Sequence, residues 1–145
     1  MMFVLKRMVI LCLIMHIFSF SAKPSKFRQH DGVNMEPRVL VIGRLQSTLD
    51  ILVEEWKRYG RNVIASNSKE KIKEIIETDS IDFIAIGGGL PEDERIEMIR
   101  YINVIDSKIP VHPIPKTNEK TGPYDFIPFL NNHAIMFKVE KAMKK

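Results

Sequence analysis

Short runs of aliphatic and β-branched residues alternate with segments whose apolar residues recur at helical spacing across residues 38–114. A continuous apolar run is typical of a strand buried on both faces, and helical spacing is typical of a helix with one buried stripe. This alternation predicts right-handed βαβ units, which build a parallel sheet with helices on both faces. We therefore expect a flavodoxin-like, doubly wound α/β fold with strand order 2-1-3-4-5.

The element boundaries follow from residues that start or stop each pattern. The first helix carries Trp56 in its apolar stripe and ends at Gly60, while Asn67 and Glu70 can form a capping box for the second helix. Pro91 stands where a third helix can begin. Strands are predicted at residues 39–42, 62–65, 82–86, 109–114 and 134–137, the fourth near an edge because it holds two prolines. The third helix has the stripe Ile96, Ile99 and Ile102, and after a loop at 116–122 the end of the chain is predicted as helices at 124–130 and 139–145.

The distribution of charge separates residues 1–34 from the remainder of the 145-residue chain. The formal charge of +4 lies wholly in residues 1–34, which hold five basic residues and one acidic residue. Residues 35–145 hold 17 basic and 17 acidic residues, so the charge gives no reason to expect nucleic acid as a partner. The only cysteine is Cys12, which excludes a disulfide framework and a cysteine-rich zinc site. The length fits a single domain at 35–145.

The N-terminal segment has two interpretations. Lys6 and Arg7 precede an uncharged run at residues 8–20, which is followed by Ser21 and Ala22, as in a secretory signal peptide. The run has 13 residues, fewer than the roughly 20 that a membrane-spanning helix needs, so we expect no stable membrane span. Alternatively, translation starts at Met35, directly before the first strand. The first interpretation predicts an exported or membrane-associated protein, and the second a cytoplasmic one.

Two blocks of the sequence resemble the receiver domains of response regulators. Residues 82–91 look like the third receiver strand and its loop, and Gly87 falls on the position of the phosphoacceptor aspartate. Residues 38–44 are similar to the first receiver strand, but Gly43 and Arg44 replace the two acidic residues that hold Mg²⁺ in the family. Pro115 takes the place of the Thr or Ser after strand four, and Lys138 is matched to the lysine after strand five. The resemblance covers residues 37–115.

The resemblance implies a degenerate receiver without phosphotransfer. Aspartyl phosphorylation needs a carboxylate nucleophile and a divalent cation, and glycine supplies neither. We therefore expect no phosphoacceptor, no catalytic residue, no metal and no cofactor, and a signalling or protein-interaction module that can form a homodimer. The partner surface implied by the family begins at residue 122 and includes Tyr124, Phe126, Phe129 and Phe137. Because receivers are cytosolic domains, the resemblance favours a cytoplasmic location.

A second hypothesis places a ligand at the carboxyl ends of the strands, where ligands bind in doubly wound sheets. Glycines let a backbone approach a ligand closely and allow positive φ. The protein would then be a small-molecule sensor for an anion or nucleotide, or a hydrolytic enzyme with Arg44 as anion clamp and His112 as base. A plainer interpretation is that the glycines form only a turn and that His112 is structural. The predicted edge holds Gly43, Arg44, Gly87, Gly88, Gly89 and His112.

Overall fold

The computed structural model describes residues 36–116 and 126–144. These residues form four strands and four helices in alternation. The elements are β1 Arg38–Ile42, α1 Gln46–Arg58, β2 Asn62–Ser66, α2 Lys69–Thr78, β3 Phe83–Ile86, α3 Glu92–Ile105, β4 Val111–Pro113 and α4 Phe126–Met143. The N-terminal segment at residues 1–34, Met35, Tyr124 and most of the predicted 116–122 loop lie outside the described residues.

The sheet has the predicted parallel pairing for its first four strands. Its order is β2-β1-β3-β4, with Leu40 opposite Ile64 on one side and opposite Ile84 on the other. Strand β4 pairs with β3 alone and is shorter than predicted. Proline lacks the N–H that a central strand needs, so the edge position predicted from the two prolines is confirmed in the described sheet. The arrangement is an α/β fold compatible with a flavodoxin-like architecture.

Alternate side chains of the strands enter two separate cores, as the period of two in a strand requires. Leu40, Ile42, Ile84 and Ile86 face α2 and α3, whereas Val39, Val41, Phe83 and Ala85 face α1 and α4. Trp56 of α1 is fully buried in the second core, which confirms its predicted core position. Helices therefore cover both faces of the sheet, as the alternation of elements predicted.

The predicted fifth strand at residues 134–137 is wrong, because these residues lie inside α4. Leu130 and Ala134, four residues apart, are buried against the sheet, and Phe126 and Phe137 pack beside them at helical spacing. Pro128 falls in the first turn of α4, where a missing N–H costs little. The two helices predicted at 124–130 and 139–145 thus belong to one helix over its described length.

Two local predictions for the helices also need correction. The N-cap of α2 is Ser68, not Asn67: the Ser68 hydroxyl accepts a hydrogen bond from Lys71 N at 3.4 Å and donates one to Glu70 Oε2 at 2.7 Å. In α3, Ile102 is buried and Ile99 packs against the core as predicted, but Ile96 is 44% exposed and Arg95 is buried in its place, together with Met98. Each error is a shift of one residue, which is enough to turn a side chain to another face of a helix.

Candidate functional site

The carboxyl ends of β1, β3 and β4 meet around one cleft of about 580 Å³. We call it the carboxyl-edge cleft. The structure brings together five of the six residues predicted for this edge, and His112 is absent from the lining. The lining residues are Val41, Ile42, Gly43, Arg44, Leu45, Thr48, Leu49, Leu52, Gly87, Gly88, Gly89, Leu90, Pro91, Ile114, Pro115, Lys116 and Phe126.

The cleft combines an apolar interior with a cationic rim. Leu49, Leu52 and Ile114 are each at most 5% exposed and belong to the core that lies between the sheet and helices α1 and α4. Arg44 and Lys116 are exposed, and neither forms an ion pair within the described residues. No aspartate or glutamate is among the lining residues named above. The cleft therefore favours a ligand with an apolar part and a negative charge.

The glycines allow close packing at this edge rather than unusual backbone angles. Gly87 N donates a hydrogen bond to Ile42 O at 2.7 Å, and a Cβ at Gly87 would lie 3.3 Å from that oxygen. A Cβ at Gly43 would lie 2.8 Å from Leu49 Cδ2. Among the described glycines, Gly60 alone has a positive φ, so the 87–89 turn does not use the positive φ that glycines allow. Close approach of β1, β3 and α1 explains Gly43 and Gly87 without a ligand.

His112 lies on the sheet face that packs against α4, and it is not among the residues that line the cleft. It pairs with Ala85 in the ladder, and its ring centroid is 5.7 Å from that of Phe83 and 4.5 Å from that of His133 on α4. Burial lowers the pKa of His112, as does the neighbouring His133, whereas Glu140 opposes the shift. His112 thus serves the contact between the sheet and α4. His133 is half-buried on α4, and its Nδ1 lies 2.9 Å from Phe129 O.

Lys138 is far from the place that the receiver resemblance implied. Lys138 forms an ion pair with Glu36, which lies two residues before β1 begins. Lys141 Nζ lies 3.7 Å from Asp82 Oδ1, and Asp82 directly precedes β3. Both carboxylates stand at the amino ends of strands, at the edge opposite the cleft. Lys138 therefore takes no part in the carboxyl-edge cleft and instead joins α4 to the start of the sheet.

Sequence reasoning did not identify three residues that shape the cleft. Lys116 and Phe126 line it, and neither belongs to a recognisable motif. Arg95 is only 5% exposed, and its Nη2 donates a 2.7 Å hydrogen bond to the carbonyl oxygen of Ile114 in the cleft wall. Its Nη1 lies 3.2 Å from Glu92 Oε2. The guanidinium thereby supplies a hydrogen-bond donor to a buried carbonyl just beyond the end of β4, and so holds the cleft wall at Ile114 in place.

The described residues contain no group of three or more His, Cys, Asp or Glu side chains that could hold a metal ion. In the same part of the chain, no helix has the length and apolar character needed to cross a membrane. Comparisons with protein-family models and with curated proteins found no match to this sequence. The case for a function therefore depends on the geometry of the cleft and of the exposed surfaces.

Proposed function

We propose that this chain is a receiver-like binding module without phosphotransfer, which holds a small molecule in the carboxyl-edge cleft. The observation that carries the proposal is the cleft itself, which three strand ends form around an apolar interior and two cations, Arg44 and Lys116, that have no ion-pair partner within the described residues. Gly43, Arg44 and Gly87 occupy the positions at which the receiver resemblance expects carboxylates. The described lining residues offer neither a carboxylate nucleophile nor carboxylate ligands for a divalent cation, so they provide no acceptor for a phosphoryl group.

Binding is better supported than hydrolysis. The hydrolytic version of the hypothesis needs His112 as base, but the ring of that residue lies against Phe83 and His133 and outside the cleft lining. Thr48 supplies a hydroxyl to the lining, but no histidine, cysteine or carboxylate is among the lining residues to activate it. The residues present suit recognition of a ligand and give no base for chemistry on it.

A cleft-filling variant tests this proposal. A Cβ at Gly89 would have no atom nearer than Arg44 Cβ at 4.0 Å, so Gly89→Leu should narrow the cleft with little strain. We expect amide NMR titration of the full chain with a panel of metabolites to give shifts at Gly43 and residues 87–89. In Gly89→Leu we expect binding at least about tenfold weaker and a melting temperature within about 4 °C of the parent.

The matched control is Ser107→Leu, which adds the same side chain at an exposed turn outside the cleft. It should leave the titration unchanged. Equal binding by the parent, Gly89→Leu and Ser107→Leu would contradict the proposal, as would a panel that produces no shift at the cleft residues.

A second candidate function is protein interaction through α4. This helix forms most of the segment from residue 122 onward, which the receiver resemblance implied as the partner surface. Ile135, Met136, Val139 and Met143 are 52%, 59%, 48% and 82% exposed. Their spacing places them along one side of the helix, the geometry of a helix-pairing stripe. The aromatic residues expected to make this contact, Phe126, Phe129 and Phe137, instead pack against the sheet core. The occupant we propose for the α4 stripe is a second copy of the chain, in agreement with the homodimer expected from the resemblance.

Light scattering of the full chain tests this second candidate. Val139→Glu places a charge within the stripe and should convert a dimer to a monomer at about 10 μM, because an apolar contact would have to bury that charge. Val104→Glu is the control, since Val104 is 87% exposed on α3 outside the stripe. A parent protein that is monomeric at about 100 μM, or a dimer that both variants weaken equally, would overturn this candidate.

A further inference from the structure

We infer that the ligand of the carboxyl-edge cleft is an amphipathic monoanion, a carboxylate on a hydrocarbon or aryl body, and not a nucleotide. The inference rests on the proposed function of this cleft and narrows its ligand class. Three properties of the described residues carry it: the apolar interior, the placement of the two cations at the rim, and the acidic residues that follow the rim at the start of α3.

The interior of the cleft suits an apolar ligand body. Val41, Ile42, Leu49, Leu52 and Ile114 are all buried and line the cleft. Thr48 is the polar uncharged side chain of the lining, so a sugar or a base inside the cleft would leave most of its hydrogen-bonding groups unpaired. A volume of about 580 Å³ is within the range of small-molecule sites. A chain of methylene groups or an aromatic ring would bury its surface here without that loss.

The two cations lie beside the same turn of the cleft lining. A Cβ at Gly88 would lie 3.8 Å from Lys116 Cγ, and a Cβ at the adjoining Gly89 would lie 4.0 Å from Arg44 Cβ. The Gly88–Gly89 turn therefore separates the bases of two cationic side chains that have no ion-pair partner in the described residues. A carboxylate at the rim can receive hydrogen bonds from both while its apolar body lies inside.

The surrounding charge favours one negative charge over several. Glu92, Asp93 and Glu94 directly follow the rim residue Pro91, and of these three Glu92 is paired with Arg95. Their carboxylates repel a polyanion more strongly than a monoanion. The lining also offers no carboxylate for the Mg²⁺ that accompanies nucleoside di- and triphosphates. The nucleotide version of the hypothesis is therefore less compatible with this cleft than a single carboxylate.

Octanoate, 1-octanol and Mg-ATP are suitable probes for the full chain. We expect octanoate to shift the amides of residues 87–89 and of Leu52 in NMR titrations, and 1-octanol to bind at the same residues about tenfold more weakly. Mg-ATP should cause no shift at these residues. Because NMR locates the bound molecule, binding of octanoate to the hydrophobic N-terminal segment would be distinguished from binding in the cleft.

Variants that remove a positive charge distinguish the binding of the carboxylate from the binding of the hydrocarbon chain. Arg44→Gln and Lys116→Gln should each weaken octanoate binding about 3- to 10-fold and leave 1-octanol binding unchanged, since the alcohol makes no use of the cations. Arg100→Gln, at an exposed position of α3 outside the cleft lining, should change neither. Equal loss of octanoate and octanol binding in the two cleft variants would overturn the assignment of Arg44 and Lys116 to the carboxylate.

The outcomes also separate this inference from the proposed function. Shifts at the cleft with Mg-ATP and none with octanoate would overturn the ligand class but support a ligand in the cleft. Shifts with neither probe and none with the metabolite panel would overturn both. Octanoate and 1-octanol binding with equal affinity would overturn the requirement for an anion.

Discussion

Replacing Trp56 with alanine is expected to lower the free energy of unfolding by about 3–5 kcal/mol, the usual cost of removing a fully buried aromatic side chain. Trp56 is 0% exposed and lies in the core between the sheet and helices α1 and α4. It stands one turn after Leu52, which lines the cleft, so loss of packing at Trp56 should also weaken ligand binding. Urea denaturation followed by circular dichroism measures the change without relying on the only tryptophan of the chain.

Two further variants show which contacts of Trp56 account for the expected loss in the free energy of unfolding. The indole Nε1 of Trp56 is buried and has no hydrogen-bond partner within the described residues, so Trp56→Phe removes an unsatisfied donor together with part of the apolar contact. We expect Trp56→Phe to cost less than about 2 kcal/mol. Tyr59→Ala, in the next turn at 65% exposure, should change stability by less than about 0.5 kcal/mol. Equal destabilisation by Trp56→Phe and Trp56→Ala would contradict this expectation and show that the indole makes contacts that a phenyl ring cannot replace.

The central strands could be predicted from sequence because every position in them requires an apolar residue. Val39, Leu40, Val41 and Ile42 are each at most 2% exposed, so an uninterrupted apolar run suffices to identify a strand covered on both faces. Gly43 and Gly87 end two such strands, and parallel neighbours end at the same edge. Strand order and chain direction therefore locate the cleft before any side-chain contact is known.

The C-terminal helix α4 could not be predicted in the same way, since its apolar residues fit both the helical and the strand period. Residues 134–137 are four consecutive apolar residues, a pattern that a buried strand and a buried helix share. Packing decides between them: Leu130 and Ala134 are both buried, one helical turn apart. The match of Lys138 to the receiver lysine places it at the opposite edge from the one it occupies, and sequence alone does not give the direction in which α4 crosses the sheet. Lys116 gave no sequence signal, as its role comes from its distance to Gly88.

The other large effect is expected at the amino edge, where Glu36 joins α4 to the start of β1. Glu36 forms ion pairs with Arg61 and with Lys138, and the side chains are 13%, 18% and 32% exposed in that order. Glu36→Gln keeps the shape of the side chain but leaves two partly buried cations without their carboxylate. Removal of one partner from a fully buried pair costs several kcal/mol. At this partial exposure we expect a loss of about 2 kcal/mol in the free energy of unfolding.

A control variant compares this cluster with an exposed ion pair. Glu97 lies 3.5 Å from Lys69, and the two side chains are 68% and 47% exposed. Because solvent screens such pairs, Glu97→Gln should change stability by less than about 0.5 kcal/mol. Equal effects of Glu36→Gln and Glu97→Gln would show that the amino-edge cluster adds no more than a surface contact, and that apolar packing alone holds α4 to the sheet.

The pH dependence of stability gives an independent test of the same cluster. Burial raises the pKa of Glu36, but hydrogen bonds from Lys138 and Arg61 outweigh it and hold the pKa below its ordinary value of 4.5. The unfolded chain then binds the proton more readily than the folded chain, so this contribution is complete above about pH 4.5 and is lost as the pH falls through the folded value. Urea midpoints from pH 7 to about pH 3 should therefore fall less steeply for Glu36→Gln than for the parent. Parallel curves for the two proteins would mean that Glu36 has the same pKa in both states, which would contradict its role in fixing α4.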